Sequence, residues 1–353
     1  MKDLGWDDEW ARTFGPFAAE GLIPARVAIE FNYLYRLFAE TGEVQAQHAG
    51  KLRHESAHLS AVGDWVAIRP SPGEATATIE AILPRRSHFS RKVAGELTEE
   101  QTVAANIDTV FIVMGLDGDY NPRRLERYLM LAYESGAKPV VILNKADVAT
   151  QLAEDIDEIQ QLAVGIPVHA VSAKERSGIE VIERHLGPGK TGALLGSSGV
   201  GKSTLVNALM GEELLKTREV REHDSRGRHT TRHRHLIVLT GGRGLLVDTP
   251  GMRELQLWAH EDSARETFDD IVELAATCHF TNCRHLGEPR CAVKQAVEEG
   301  TVTAERLASY QKLRDELDTL EQRKSVRDQI NIKRKFKSAS QAMKKMYKDR
   351  DRE

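Results

Sequence analysis

Gly196, Gly201, Lys202 and Ser203 fall in the run "GSSGVGKST", residues 196 to 204, with the spacing of a loop built to hold the phosphates of a nucleotide. Glycines let backbone N–H groups turn inward around the phosphates, and the helix predicted by "STLVNALM" adds the partial positive charge of its N-terminus. The binding set on this reading is Gly196, Ser197, Ser198, Gly199, Val200, Gly201, Lys202, Ser203 and Thr204. Lys202 should reach the β- and γ-phosphates, and the Ser203 hydroxyl should ligate Mg²⁺. Further on, "LLVDTPG" ends a second predicted strand with Asp248, which can hold the Mg²⁺ shell, and reaches Gly251, whose N–H can face the γ-phosphate.

Base choice falls to "NKAD", residues 144 to 147, and "SAK", residues 172 to 174. The Asp147 carboxylate only accepts hydrogen bonds, so it can take two hydrogens from N1 and the exocyclic amine of guanine, whereas adenine would face it with a lone pair. The stem of Lys145 can cover the base, Asn144 can tie neighbouring loops, and the backbone N–H of Ala173 can donate to the guanine carbonyl. Ala146, Ser172 and Lys174 complete the two motifs. Together these residues read as a site for GTP and GDP. The guanine motifs precede the phosphate loop, which is the order of a GTP-binding domain whose circle has been cut elsewhere. Such a permutation costs little because domain termini commonly lie close together, and "GPGK", residues 187 to 190, reads as a flexible join between old end and old start.

The elements that must carry these loops follow from periodicity. A chain of 353 residues is too long for one ordinary core. Before about residue 100 the segments "GEVQAQHAGKL", "DWVAIRP" and "ATATIEAIL" alternate apolar and polar between turn residues, which predicts a small β-barrel over 25 to 95. After it, strands and helices alternate: strands at "DTVFIVMGL", "KPVVILN", "PVHAVS" and "GALLG", with helices opened by Asn121 and Pro122 and closed by Gly136, over 151 to 163, and over 178 to 186. That rhythm predicts a mostly parallel sheet covered by helices, with ligands at the carboxyl ends of its strands.

All three cysteines lie in "CHFTNCRHLGEPRC". Cys278, Cys283 and Cys291 with His285 make a ligand set for one structural Zn²⁺ per chain, and an odd cysteine count argues against disulfides. Buried or redox-active thiols are the other reading. His279 is the rival imidazole, placed second because its adjacency to Cys278 makes joint ligation awkward.

Taken together, the order of these motifs, with a barrel before them and C-x4-C-x-H-x5-C after, resembles the circularly permuted GTPases called RsgA or YjeQ, small-subunit assembly factors of bacteria. The likeness covers about residues 25 to 320. It implies a multidomain chain of an OB-fold barrel over 25–100, a circularly permuted α/β P-loop GTPase domain over 101–254 and a mostly helical zinc-binding domain over 255–322, with an N-terminal extension over 1–24 and a basic tail over 323–353 lying outside the match. It also implies that the barrel binds ribosomal RNA, although an OB-fold can serve as a passive scaffold, and that the 30S particle stimulates GTP hydrolysis. Met252 stands where many GTPases place a water-orienting Gln. The resemblance puts the first switch at "GRHTTRHRH", so Thr231 is the candidate for the Mg²⁺ and γ-phosphate contact, with Thr230 second, and His229 the candidate for orienting the attacking water. An RNA phosphate contact is the alternative for His229.

Charge and hydropathy bound the partners. The start "MKDLGWDDEW" is acidic and no apolar run approaches the roughly 18 residues of a membrane span, so the expectation is a cytoplasmic protein without membrane contact; a monomer is expected besides. The net charge is −4, yet residues 323 to 353 carry 12 Lys and Arg against 4 Asp and Glu, a local +8 that leaves −12 on the rest. That tail is either a nucleic-acid contact or a solvated terminal helix. Two function classes follow: a GTP-hydrolysing factor in late maturation of the 30S subunit, or a GTP-regulated RNA-binding or translation-control protein in which hydrolysis is incidental.

Overall fold

The structure is a computed structural model, and it describes residues 1–31, 34–50, 52, 59–71, 76–92, 100–118, 120–211, 234–248, 267–315 and 318–319. These fall into two compact units, one drawn from residues up to 248 and one from 267 onward.

In the first unit the nucleotide motifs ride on parallel strands with near-continuous apolar runs, as strands covered on both faces require. Strands β8 (Thr109–Gly115), β9 (Lys138–Asn144), β10 (Val168–Val171), β11 (Thr191–Leu195) and β13 (Leu245–Asp248) run parallel in the order β10-β9-β8-β11-β13, and β12 (His235–Val238) adds an antiparallel strand beside β13. Every residue of β8 and of β11 is buried. Helix α2 (Pro122–Ser135) begins on its proline and ends at Gly136, which takes the left-handed φ of 79°. Helices α3 (Leu152–Leu162), α4 (Glu180–Leu186) and α5, over 202–211, complete the layer. Val181, Ile182 and Leu186 of α4 and Leu205, Leu209 and Met210 of α5 close one core on Phe111, Leu194 and Leu246.

The alternating segments close into a five-stranded barrel of β1 (Ile23–Phe31), β2 (Leu34–Ala39), β3 (Gly42–His48), β4 (Trp65–Arg69) and β5 (Thr76–Ile82), in the order β1-β2-β3-β5-β4 with β4 returning to β1. Alternation in β2 puts Tyr35, Leu37 and Ala39 inside. β1 also pairs with β12, Ile29 against His235, so barrel and GTPase strands share one sheet. A separate hairpin, β6 (His88–Lys92) with β7 (Glu100–Ala105), follows the barrel. The strand pattern leaves the first 24 residues aside, but they hold α1 (Asp8–Ala19), whose Trp10 and Phe14 pack with Leu22 on Trp65, Ala67 and Leu83. Asp7 caps that helix by accepting from the N–H groups of Glu9 at 3.1 Å and Trp10 at 2.9 Å.

The expected flexible join is a tied turn. Lys190 N–H donates to Gly187 O at 3.2 Å, and Asp108 takes both the Lys190 ammonium and the Thr191 N–H at 2.9 Å, which fixes where β11 starts. Beside it lies Arg26 of β1, 2% exposed. Its guanidinium donates to Thr191 Oγ1 at 2.9 Å, Asn106 O at 3.1 Å, Gly63 O at 3.2 Å and Leu4 O, and sits 5.4 Å from the Trp65 ring centre. Burial pushes it down to about 10, opposed by Asp108 and Asp64, so it stays charged at neutral pH. One side chain therefore joins N-terminus, barrel and the strand that feeds the phosphate loop. Arg26→Met takes the donor from Leu4 O and Asn106 O, while Gly63 O keeps its bond from Asn106 Nδ2 at 3.1 Å, and should cost about 2–5 kcal/mol in chemical denaturation; a loss under about 1 kcal/mol would show that the site collapses onto apolar contacts instead.

Candidate nucleotide and metal sites

The carboxyl ends of β8, β9, β10 and β11 bring the guanine motifs and the phosphate loop to one edge of the sheet. Asn144, the last residue of β9 and 2% exposed, ties them: its Nδ2 donates to Val200 O at 2.8 Å and its Oδ1 accepts from Ala173 N–H at 3.0 Å. Gly201 is what lets the phosphate loop come this close, because a Cβ there would lie 2.2 Å from Asn144 Nδ2. Ala173 thus gives its N–H to Asn144, where sequence reasoning has it donating to the base. The reason is geometric: Val171 pairs with Asn144 in the β10–β9 register, so the turn after β10 passes over the Asn144 side chain.

Asp147 accepts from Ser172 Oγ at 2.6 Å, and Ser172 Oγ in turn accepts from Glu175 N–H at 3.1 Å. The Ser172 bond, opposed by burial and helped by Lys174 and Lys145, holds the Asp147 carboxyl below the usual carboxylate range, so an acceptor of the kind guanine would need is ionised at neutral pH. Lys174 lies 3.9 Å from the same carboxylate with an exposed side chain, and Ala146 opens a one-turn 3₁₀ segment beside it.

In the phosphate loop the Lys202 ammonium donates to Gly196 O at 2.6 Å and to Ser197 O, which keeps it inside the loop. Val200 is buried, while Ser198, Gly199, Ser203 and Thr204 face solvent. Ser203 stands in the first turn of α5 and Asp248 ends β13, the neighbour of β11 through Ala193 and Val247. Sequence reasoning missed two residues of α2: Arg124 Nη1 donates to Ser197 Oγ, and Tyr128 OH lies 3.3 Å from the same oxygen. Their helical spacing of four was a signal that they share a face, with nothing local to say which loop they meet. His229, Thr230, Thr231, Gly251 and Met252, together with the basic tail, lie outside the described residues.

The second unit is built on α6 (Asp269–Ala276), α7 (Ala292–Glu298) and α8, over 304–315, around Phe268, Ile271, Val293 and Leu307. Arg306 of α8 forks onto Asp270 with two bonds of 2.8 Å and lies 5.1 Å from the Phe268 ring centre. Between α6 and α7 the donor atoms of Cys278, Cys283, His285 and Cys291 all lie within 4.8 Å of one another. Cys278 and Cys291 sulfurs are 3.9 Å apart, and His285 Nδ1 is 3.3 Å from Cys291 and 3.7 Å from Cys278. A tetrahedron with Zn–S bonds of about 2.3 Å has edges of about 3.8 Å, so the set fits Zn²⁺.

The loop around this cluster is pre-shaped. Glu288 accepts the N–H groups of Arg284, Leu286 and Gly287, the Gly287 bond leading, and is held down to about 2. His285 and Arg290 take left-handed φ of 61° and 59°, which aim Nδ1 and the Cys291 sulfur into the cluster, and Gln311 of α8 donates to His285 O at 2.9 Å. His279 instead stacks edge-on against Phe280.

Residues 82–258 match the RsgA GTPase family. The small ribosomal subunit biogenesis GTPase RsgA of Opitutus terrae is 47% identical over 328 residues, 90% of this chain and 89% of that protein. The chain belongs to the RsgA GTPase family. The RsgA 2 protein of Lactiplantibacillus plantarum is 44% identical, with 92% of each chain covered. Among solved structures, YjeQ from Thermotoga maritima superposes with a TM-score of 0.64 at 26% identity over 84% of this chain and 98% of that one; YloQ, described as a circularly permuted GTPase, gives 0.60 at 25% over 86% and 96%. As an RsgA-family GTPase the chain hydrolyses GTP with Mg²⁺, and the oxygens of Ser203 and Asp248 are of the hard type that this cation takes. No described helix is long and apolar enough to cross a membrane. For the metal, Cys283→Ser should drop bound zinc well below one per chain and loosen 267–315 in amide exchange while leaving GTP binding nearly intact; full zinc in that variant by metal analysis would refute the four-ligand site.

Proposed function

We propose that this chain is a GTP-hydrolysing assembly factor acting in late maturation of the 30S ribosomal subunit, a cytoplasmic monomer that binds the particle and its rRNA as the GTP complex and leaves after hydrolysis. The observation that carries the reading is the Asn144 tie, which sets the guanine motif, the SAK turn and the phosphate loop around one place; the names of the relatives point the activity at the small subunit. Asn144, Lys145, Ala146 and Asp147 with Ser172, Ala173 and Lys174 hold the base, and residues 196 to 204 hold the phosphates. Ser203 and Asp248, joined by Thr231, would hold Mg²⁺, which when bound would neutralise phosphate charge.

Hydrolysis needs a water in line with the γ-phosphate, and His229 orients it in place of the side chain that Met252 cannot supply. Lys202 and the inward N–H groups of the loop meet charge on the leaving oxygens, and Gly251 offers its N–H to the γ-phosphate. The division of labour follows the proposed domains: 1–24 braces the barrel, 25–100 grips RNA, 101–254 hydrolyses GTP, 255–322 forms the zinc-stabilised domain and 323–353 adds a basic contact. Steady-state GTP turnover with purified 30S particles, 50S particles and free rRNA tests this: at least about tenfold stimulation by 30S alone is expected, whereas equal turnover with all three would favour a GTP-regulated RNA-binding protein in which hydrolysis is incidental.

A further inference from the structure

A carboxylate outside the guanine motifs reaches into them. Gly115 pairs with Asn144 in the β8–β9 register and Leu116 N–H donates to Asn144 O at 2.8 Å, so the chains leave the two strands side by side. Just beyond, Lys145 Nζ forms an ion pair with Asp117 Oδ2, the side chains 28% and 35% exposed. The backbone is shaped for this pair. Lys145 sits at a left-handed φ of 69°, and Gly115 leaves the room, since a Cβ there would lie 2.7 Å from Asp117 Oδ1 and 3.5 Å from Lys145 Nζ.

We propose that Asp117 is a positioning residue for guanine nucleotides: by anchoring the Lys145 ammonium it lays the aliphatic stem in place before the base arrives. This rests on reading 144 to 147 as the guanine site. A free lysine would lose its rotamer freedom on binding, whereas one already tethered at its far end has lost much of it, and that difference appears as affinity. Lys145 also has a mechanical need for the tether. Its left-handed backbone is an uncommon state for a residue with a Cβ, and a contact at the far end of the side chain favours it. Asp147 has direct partners in Ser172 and Lys174 and feels the Lys145 charge only as a lesser influence, so the two carboxylates take different parts, one on the base edge and one on the lysine that covers its face.

A double-mutant cycle read by titration of the full chain with fluorescent GDP tests the assignment. Asp117→Ala should weaken GDP by about tenfold, Lys145→Ala by at least as much, and the double variant should bind no more weakly than Lys145→Ala alone. Asp117→Asn keeps the shape and removes the charge, and should lose affinity in the same direction. A merely structural role for Asp117 would loosen the loop in the Lys145→Ala background as well, so additive losses overturn the proposal. So does GDP binding that is unchanged or tighter in Asp117→Ala, which would mean that the carboxylate only sequesters the lysine. The underlying site has its own control: Asp147→Asn with undiminished GDP affinity would refute the guanine reading itself, whatever Asp117 does.

Discussion

The buried amide of Asn144 is the interaction on which the nucleotide site depends. It uses a donor and an acceptor at once, giving Nδ2 to the phosphate loop at Val200 and taking the N–H of Ala173 with Oδ1. Three loops that are far apart in sequence are thereby held at one spacing, and Gly201 is the residue that lets the third of them approach. At 2% exposure no water competes for these bonds, and each lost partner leaves a buried group unsatisfied at about 1–3 kcal/mol. An apolar side chain of the same size would fill the space without setting the distances. The pKa of Asp147 depends on the same arrangement at one remove, because its partner Ser172 stands in the turn whose next N–H is bound to Asn144.

That cross-link explains why the order of the motifs along the chain matters little. The sheet needs the ends of β9, β10 and β11 to lie together, and the chain closes the circle through the turn at 187–190, which Asp108 pins at Lys190 and Thr191. What the permutation alters is what the site is attached to. β1 of the barrel extends the sheet past β12, Glu30 meets Arg234 at 3.2 Å across that junction, and Arg26 reaches Thr191 at the start of the strand leading to the phosphate loop. Barrel and GTPase domain are thus one hydrogen-bonded body, unlike two modules on a linker.

Much of this was legible in the sequence because the decisive signals are local. The apolar runs of β8, β9 and β11 predict strands covered on both faces, glycine spacing predicts the phosphate loop, and C-x4-C-x-H-x5-C predicts a cluster whose donor atoms do converge. What was not legible is tertiary. Nothing near Arg26 announces that a charged residue in a strand will be buried against carbonyls from three segments, and the Asp117–Lys145 pair spans 28 positions. The N-terminal helix is an intermediate case: Trp6, Trp10, Phe14 and Phe17 recur at helical spacing, a signal present in the sequence but set aside when residues 1–24 are read as an extension, and all four pack into or against the cluster on Trp65.

The central claim, that one amide sets the spacing of the three loops, is tested most directly by Asn144→Asp, which keeps the size and the Oδ1 acceptor but turns the Nδ2 donor into a second oxygen facing Val200 O. The measurement is amide exchange by NMR or mass spectrometry together with GDP titration. The account predicts faster exchange in the phosphate loop and the SAK turn, GDP affinity reduced by at least about a hundredfold, and unchanged protection in the barrel strands β2 and β3. GDP binding within about twofold of the parent chain, with the loops still protected, would contradict it.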